Sequence, residues 1–201
     1  MKYPLVLTFV ACVALLTGSQ TPSSSSAGST CTLTPQQAPE IRGLRLGMSA
    51  EQLLTLFPDE ANRSRIIEAV RISKQPELYG VGNLDLVGNE KDNPRFSGVN
   101  YFSIRLLDER VTSFHIGYKP VEWKSVDQFV TKLSEGLRLP NLPWERGNDS
   151  SVLKCKGFKL EAYVFQSSGE CVVRVMDTSV NQIVEDRKEV DKEKARQAFR
   201  P

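Results

Sequence analysis

Two residues of this 201-residue chain come nearest to the parts of a known catalytic motif. His115 is the only histidine and therefore the only candidate for an imidazole base. Ser49 lies in Gly47-Met48-Ser49-Ala50-Glu51, which differs from the Gly-x-Ser-x-Gly nucleophile motif at its last position. His115 alternates with apolar neighbours on a predicted strand, and Ser49 is predicted to cap a helix. The sequence thus favours a non-enzymatic protein, and a secreted hydrolase that depends on His115 is the lesser alternative.

No residue spacing predicts a metal or cofactor site. The acidic and amide side chains between residues 85 and 93 lack the order of a calcium-binding EF-hand loop. The sequence has no Cys-x-x-Cys pair and no phosphate-binding glycine loop. We therefore predict no catalytic residue, no cofactor-binding residue and no metal ligand.

The four cysteines predict one disulfide bond in an oxidising compartment. Cys12 leaves with a predicted signal peptide, and three cysteines remain. Cys155 and Cys171 fall at opposite ends of a predicted strand, about 23 Å apart at about 3.3 Å per residue. A disulfide needs a Cα separation below about 7 Å. The favoured pair is therefore Cys31 and Cys155, which leaves Cys171 as a free thiol.

The N-terminus is typical of an exported protein. A lysine at position 2 precedes an uncharged run of about 13 residues, shorter than the roughly 20 that span a membrane. Residues 1–19 are predicted to be a signal peptide, and 20–38 a flexible leader rich in Ser, Thr and Pro. Periplasmic or secreted localisation follows. Lipid anchoring at Cys12 is a disfavoured alternative, because the apolar run continues beyond it.

The remaining composition indicates a globular domain. Hydrophobic residues make up 40% of the chain, and the net charge of +2 does not favour a nucleic-acid partner. Ser-x-x-Gln recurs at Ser49, Ser125 and Ser179, and each occurrence predicts a helix that begins with a capping box. Arg63–Ser73 fits a helix or a strand, and Pro76–Ser97 is predicted to be a long loop.

The strand pattern predicts an α+β fold. Alternating apolar residues from Phe102 to Tyr118 predict a hairpin, and Ser151–Asp177 predicts a three-strand meander. Together they form an antiparallel sheet with helices packed on one face, a two-layer sandwich. The predicted domain spans residues 39–178, and 179–201 form a charged C-terminal helix.

A short segment resembles known proteins. Arg42-Gly43-Leu44-Arg45-Leu46-Gly47-Met48-Ser49 is similar to the helix opening of many small, uncharacterised exported bacterial proteins. It also resembles the SmpA/OmlA (BamE-type) and β-lactamase-inhibitor-protein-like folds. That resemblance implies binding to other proteins in the cell envelope or outside it, and it identifies no binding residue.

These observations together predict an exported module that binds a protein or a cell-envelope component. The alternative is an envelope assembly factor that is anchored by a lipid on Cys12 of the same N-terminal segment. The predicted binding surface comprises Trp123, Trp144 and Tyr118 with the segment Pro140–Pro143, because exposed aromatic residues often anchor protein interfaces. The mature chain is expected to contain no transmembrane span.

Overall fold

The fold joins four helices to one large antiparallel sheet. The computed structural model describes residues 30–120, 123, 125–139 and 142–200. The predicted signal peptide and Cys12 lie outside them. The helices are α1 (Ala50–Leu56), α2 (Glu60–Ser73), α3 (Val126–Leu137) and α4 (Val180–Ala198). The strands are β1 (Val81–Leu86), β2 (Val99–Leu107), β3 (Arg110–Tyr118), β4 (Glu145–Arg146), β5 (Ser150–Lys154), β6 (Phe158–Phe165) and β7 (Glu170–Asp177). The predicted mixed α+β class with an antiparallel sheet is confirmed.

The seven strands lie in the order β1, β2, β3, β7, β6, β5, β4. Every neighbouring pair is antiparallel. The hairpin predicted from Phe102 to Tyr118 is β2 and β3, joined at Asp108 and Glu109, which both adopt positive φ. Strand β3 pairs with β7, more than fifty residues further along the chain. This long-range pairing merges the hairpin and the later strands into one sheet.

Helices α1, α2 and α3 and one face of the sheet share a single apolar core. Leu53, Ile66 and Phe129 contribute from the three helices. Phe102, Phe114, Leu160 and Val173 contribute from the strands and are fully buried. Each such side chain contributes about 1.5–3 kcal/mol when it is removed from water. Helix α4 instead packs on a separate small cluster through Val180 and Val184 against Leu107.

Two of the three predicted capping serines accept a hydrogen bond from the backbone of the helix they precede. Ser49 accepts from the Gln52 N–H at 3.3 Å, and the Gln52 side chain accepts from the Ser49 N–H at 3.0 Å. Ser125 accepts from the backbone of α3 in the same way. The capping box predicted at Ser179 is wrong. Its hydroxyl donates to the Asp177 carboxylate at 2.6 Å and does not cap α4.

The segment predicted as a long loop contains an edge strand. Pro76–Ser97 includes β1, which pairs with β2 over six residues. Gly82 allows α2 to pack closely on β1, because a Cβ there would lie 2.7 Å from the Ala69 carbonyl oxygen of α2. The ambiguous segment Arg63–Ser73 belongs to α2. Helix α2 and β1 therefore pack closely at one edge of the sheet.

The predicted disulfide bond is confirmed. Cys31 and Cys155 are bonded, with their Cα atoms 4.5 Å apart. Cys171 is a free, buried cysteine that pairs with Val164 on the neighbouring strand, far along β6 from Phe158. The disulfide holds Cys31, which is itself part of the core, against the turn between β5 and β6.

Candidate functional site

The side of the sheet opposite the core is the most distinctive surface of the fold. Because side chains alternate along a strand, the residues between the core positions of β2, β3, β7 and β6 share this side. We call it the open face. Its members are Tyr101, Ser103, Arg105, Ser113, His115, Val172, Arg174, Met176, Lys159, Glu161, Tyr163 and Phe165. Among the described elements, only α4 packs beside it, at the end near Leu107.

Strand register brings four polar side chains of the open face into one row. Ser103 lies opposite His115, His115 opposite Arg174, and Arg174 opposite Glu161. Directly opposed residues on antiparallel strands have Cβ atoms about 4.5–5.5 Å apart. The row therefore combines a hydroxyl, an imidazole, a guanidinium and a carboxylate, each within reach of the next.

Glu161 is the most buried charged residue on the open face, with 5% of its surface exposed. Its carboxylate accepts hydrogen bonds from Lys159 at 2.6 Å, Tyr163 at 2.8 Å and Arg174 at 3.4 Å. Burial alone raises the pKa of Glu161, but these three partners outweigh it and hold the pKa below its usual value. Glu161 is therefore ionised at neutral pH and fixes the side chains around it.

His115 occupies an electropositive, half-buried position. Its pKa is lowered, first by burial and then by the guanidinium of Arg174, while Glu161 and Asp85 act weakly in the opposite direction. The imidazole is thus neutral at pH 7. In a catalytic triad, a carboxylate stabilises the imidazolium that forms when histidine takes a proton. Here the neighbour beyond His115 is a cation, so the Ser103 and His115 pair does not form a triad.

Tyrosine rings flank this polar row. The ring of Tyr101 lies across Gly117, where it occupies the space that a Cβ would need. Burial raises the pKa of Tyr101 and, together with Glu161, that of Tyr163. Phe165 at the end of β6 is 48% exposed. The open face therefore combines aromatic rings with ionised groups.

The aromatic residues predicted as a binding surface lie on the helical side of the sheet and form two separate groups. Tyr118 and Trp123 both pack against Phe129 of α3, with ring centroids 6.5 and 5.4 Å apart respectively. Arg42 lies over the Tyr118 ring at 5.5 Å. Trp144 lines a groove of about 620 Å³ between α3 and β4. Pro140 and Asn141 of the predicted Pro140–Pro143 segment lie outside the described residues.

Sequence reasoning missed most of the open face. The sequence did contain a pattern that indicates a second, polar face of the sheet. Lys159, Glu161 and Tyr163 alternate with apolar residues on one strand, as Arg174 does on the next. The sequence did not show which strands are neighbours. Without the pairing of β3 with β7, His115 and Arg174 remain unrelated positions.

Two further properties of the described chain bear on function. No three His, Cys, Asp or Glu side chains among the described residues come together as a metal site would require. In the same part of the chain, no helix has the length and apolar character needed to cross a membrane.

Comparisons with known proteins add little to this description. No protein-family model and no curated protein matches the sequence. One solved structure, a cysteine-rich secretory protein from Staphylococcus aureus, is similar over 76% of this chain and 51% of its own, at 10% identity and a TM-score of 0.35. The chain thus matches about half the length of that protein.

Proposed function

We propose that this chain is an exported, non-enzymatic module, built as a two-layer sandwich, that binds another protein through the open face of its sheet. The observation that carries the proposal is the aromatic and arginine-containing surface of the open face, which none of the described helices covers apart from α4 at one end. Tyr and Arg are enriched at the centres of protein interfaces. Tyr101, Tyr163, Phe165 and Arg174 supply these residue types.

The size of the open face suits a small protein interface. Four strands, β2, β3, β7 and β6, span about 19 Å at about 4.8 Å per strand, and eight residues extend about 26 Å. The product is on the order of 500 Å², below the roughly 800 Å² per partner of a standard interface. We therefore propose a weak or transient complex with a protein rather than an obligate one.

Two side chains of the open face, Glu161 and Tyr101, are held by their neighbours within the chain itself. Glu161 accepts three hydrogen bonds from its neighbours, and Gly117 provides the space for the Tyr101 ring. Side chains that are ordered before binding lose less conformational entropy on association. This supports recognition of a partner with little rearrangement of the sheet.

Export is part of the proposal because of the N-terminal sequence and the disulfide bond. Residues 1–19 have the pattern of a signal peptide, and Cys31 is bonded to Cys155. We propose periplasmic or secreted localisation, with a cell-envelope component as the broader class of partner. A lipid-anchored assembly factor acylated at Cys12 and a secreted hydrolase that uses His115 are the alternatives.

Site-specific photo-crosslinking in an exporting host tests the proposal. The photoreactive amino acid p-benzoylphenylalanine replaces Phe165 or, as a matched control, Ile67 on α2, which is similarly exposed at 55%. We expect a discrete crosslinked protein from position 165 and none from position 67. The opposite pattern, or no adduct at either position, would contradict binding through the open face.

Two additional measurements separate the alternatives. An acyl mass on Cys12 in the membrane fraction would identify a lipid-anchored protein. Labelling of Ser103 by a fluorophosphonate, lost in the His115→Ala variant, would identify a hydrolase, because only an activated serine reacts readily with that reagent. We expect neither result.

A further inference from the structure

A small enclosed cleft lies where the first turn of α4 meets the open face. Its volume is about 70 Å³, which is more than twice the roughly 30 Å³ that one water molecule occupies in the liquid. Arg105, Ser113 and Arg174 line it from the sheet, and Asn181 lines it from α4. The cleft therefore combines several hydrogen-bond donors with the apolar side chains of Met176 and Val180.

The arginine on β2 donates only some of its hydrogen bonds to other residues of the protein. Arg105 donates one hydrogen bond, from Nη1 to the Asn181 side-chain oxygen at 3.0 Å. A guanidinium has five N–H donors, so most of its donors remain for a ligand. The same bond fixes the amide of Asn181, because arginine can only donate. The Asn181 NH₂ group is thus a further donor at the cleft.

The second arginine has a donor with no partner. Arg174 makes one long hydrogen bond, from Nη1 to Glu161 at 3.4 Å. Its Nε atom is buried and has no hydrogen-bond partner among the described residues. A buried N–H of a charged group that lacks an acceptor is unfavourable. Arg174 also lines the cleft, so a ligand there meets a guanidinium that the protein satisfies only in part.

A β-bulge positions the cleft. The pairing of β2 with β3 shifts between Arg105 and Leu106, so Thr112 is an additional residue on β3. Its hydroxyl donates to the Arg105 carbonyl oxygen at 3.2 Å and ties the bulge to the backbone of that arginine. Bulges are over-represented beside functional sites, where they redirect side chains.

The charge balance of the cleft is positive. Asp177 also lines it, but its carboxylate accepts from the backbone N–H and the hydroxyl of Ser179, at 2.8 and 2.6 Å. Two guanidinium groups thus face one carboxylate that is already hydrogen-bonded. From this geometry we propose that the cleft binds a single small oxyanion group, a sulfate, phosphate or carboxylate, between Arg105 and Arg174. Planar guanidinium groups suit such ligands because they can donate two parallel hydrogen bonds.

His115 provides a direct reporter for this site. It is the only histidine of the chain, and it lies opposite Arg174 in the pairing of β3 with β7. A bound anion offsets the positive charge of Arg174 and so favours the imidazolium. The experiment records the proton NMR titration of His115 with increasing sodium sulfate, and with sodium chloride at equal ionic strength as the control for screening.

We expect sulfate to raise the pKa of His115 saturably by about half a unit or more, whereas chloride produces a smaller, unsaturable change. The response should be lost in Arg105→Gln and weakened in Asn181→Ala. It should persist in Lys119→Gln, which removes the same charge from the residue that follows β3 and does not line the cleft. Equal responses in sulfate and chloride, or an unchanged response in Arg105→Gln, would overturn the proposal.

Sodium acetate distinguishes the two sources of the oxyanion. Saturation by sulfate alone indicates a tetrahedral group such as a phosphate or sulfate ester. Saturation by both sulfate and acetate indicates that an acidic side chain of a protein can occupy the cleft. Failure of both anions contradicts the site but leaves binding of a partner by the rest of the open face unaffected, so the two proposals fail separately.

Discussion

Removal of the Cys31–Cys155 disulfide should cause a larger loss of stability than most single changes in this chain. The bond joins residues separated by 124 positions. A crosslink restricts the unfolded chain, and the loop-entropy relation gives about 5 kcal/mol at 25 °C for a loop of this length. Typical domains have only about 5–15 kcal/mol of unfolding free energy. The double variant Cys31→Ala, Cys155→Ala is therefore expected to be marginally stable.

A matched control separates the loss of stability due to the disulfide from the loss due to the substituted side chains. Cys171 is also a buried cysteine, but it forms no disulfide, so Cys171→Ala removes a buried sulfur without opening a loop. Urea unfolding followed by circular dichroism gives the free energy of unfolding of each protein. We expect the double variant to lose about 4–5 kcal/mol, and its Tm to fall by about 10–20 °C. Cys171→Ala should lose substantially less.

One comparison of unfolding free energies would refute the loop-entropy explanation. A double variant within about 1 kcal/mol of Cys171→Ala would show that the long loop is already restricted in the unfolded state. Reduction of the unaltered protein should reproduce the effect of the double variant. If it does not, the loss belongs to the substituted side chains and not to the covalent link.

Three further changes test other parts of the structure. Burial and Arg174 lower the pKa of His115 below 6.5. The unfolded chain therefore binds a proton more readily at this residue, and the free energy of unfolding should fall as the pH drops below about 6.5. Arg174→Gln should raise the pKa of His115 in an NMR titration. An unchanged pKa would contradict that electrostatic assignment. The Ser151 hydroxyl is fully buried without a hydrogen-bond partner among the described residues, so Ser151→Ala should stabilise the fold by about 1 kcal/mol in urea unfolding, and a loss would show a missed partner. Gly82→Ala should cost about 1–3 kcal/mol because its Cβ meets the backbone of α2, whereas Gly136→Ala on α3 has open space and should be neutral or stabilising. Equal effects at the two glycines would refute the close packing of α2 on β1.

Local features of the fold were predictable from the sequence. Ser49 and Ser125 precede amphipathic runs, and a capping box depends only on residues three positions apart. The Cys31–Cys155 pair followed from the length of one strand, because Cys171 on β7 pairs with Val164, at the end of β6 that is far from Cys155. These inferences succeeded because each depended on short-range geometry.

Features that depend on tertiary contacts were not predictable. Strand β1 contains Gly82 and Asn83, which have low strand propensity, and its place is set by close contact with α2. The Ser179 cap failed because Ser179 has a helical backbone (φ −78°, ψ −22°) instead of the extended one of a capping residue, and Asp177 accepts from both its N–H and its hydroxyl. The open face required knowledge that β3 pairs with β7, which no local pattern contains.

The central claim is that the open face binds a protein, and an affinity comparison tests it most directly. The partner recovered by crosslinking at position 165 is titrated by calorimetry with the unaltered chain, with Tyr163→Ala and with Thr131→Ala, an exposed control on α3. We expect a Kd that is weaker by about tenfold or more for Tyr163→Ala and an unchanged Kd for Thr131→Ala. Equal affinities for all three proteins would contradict it.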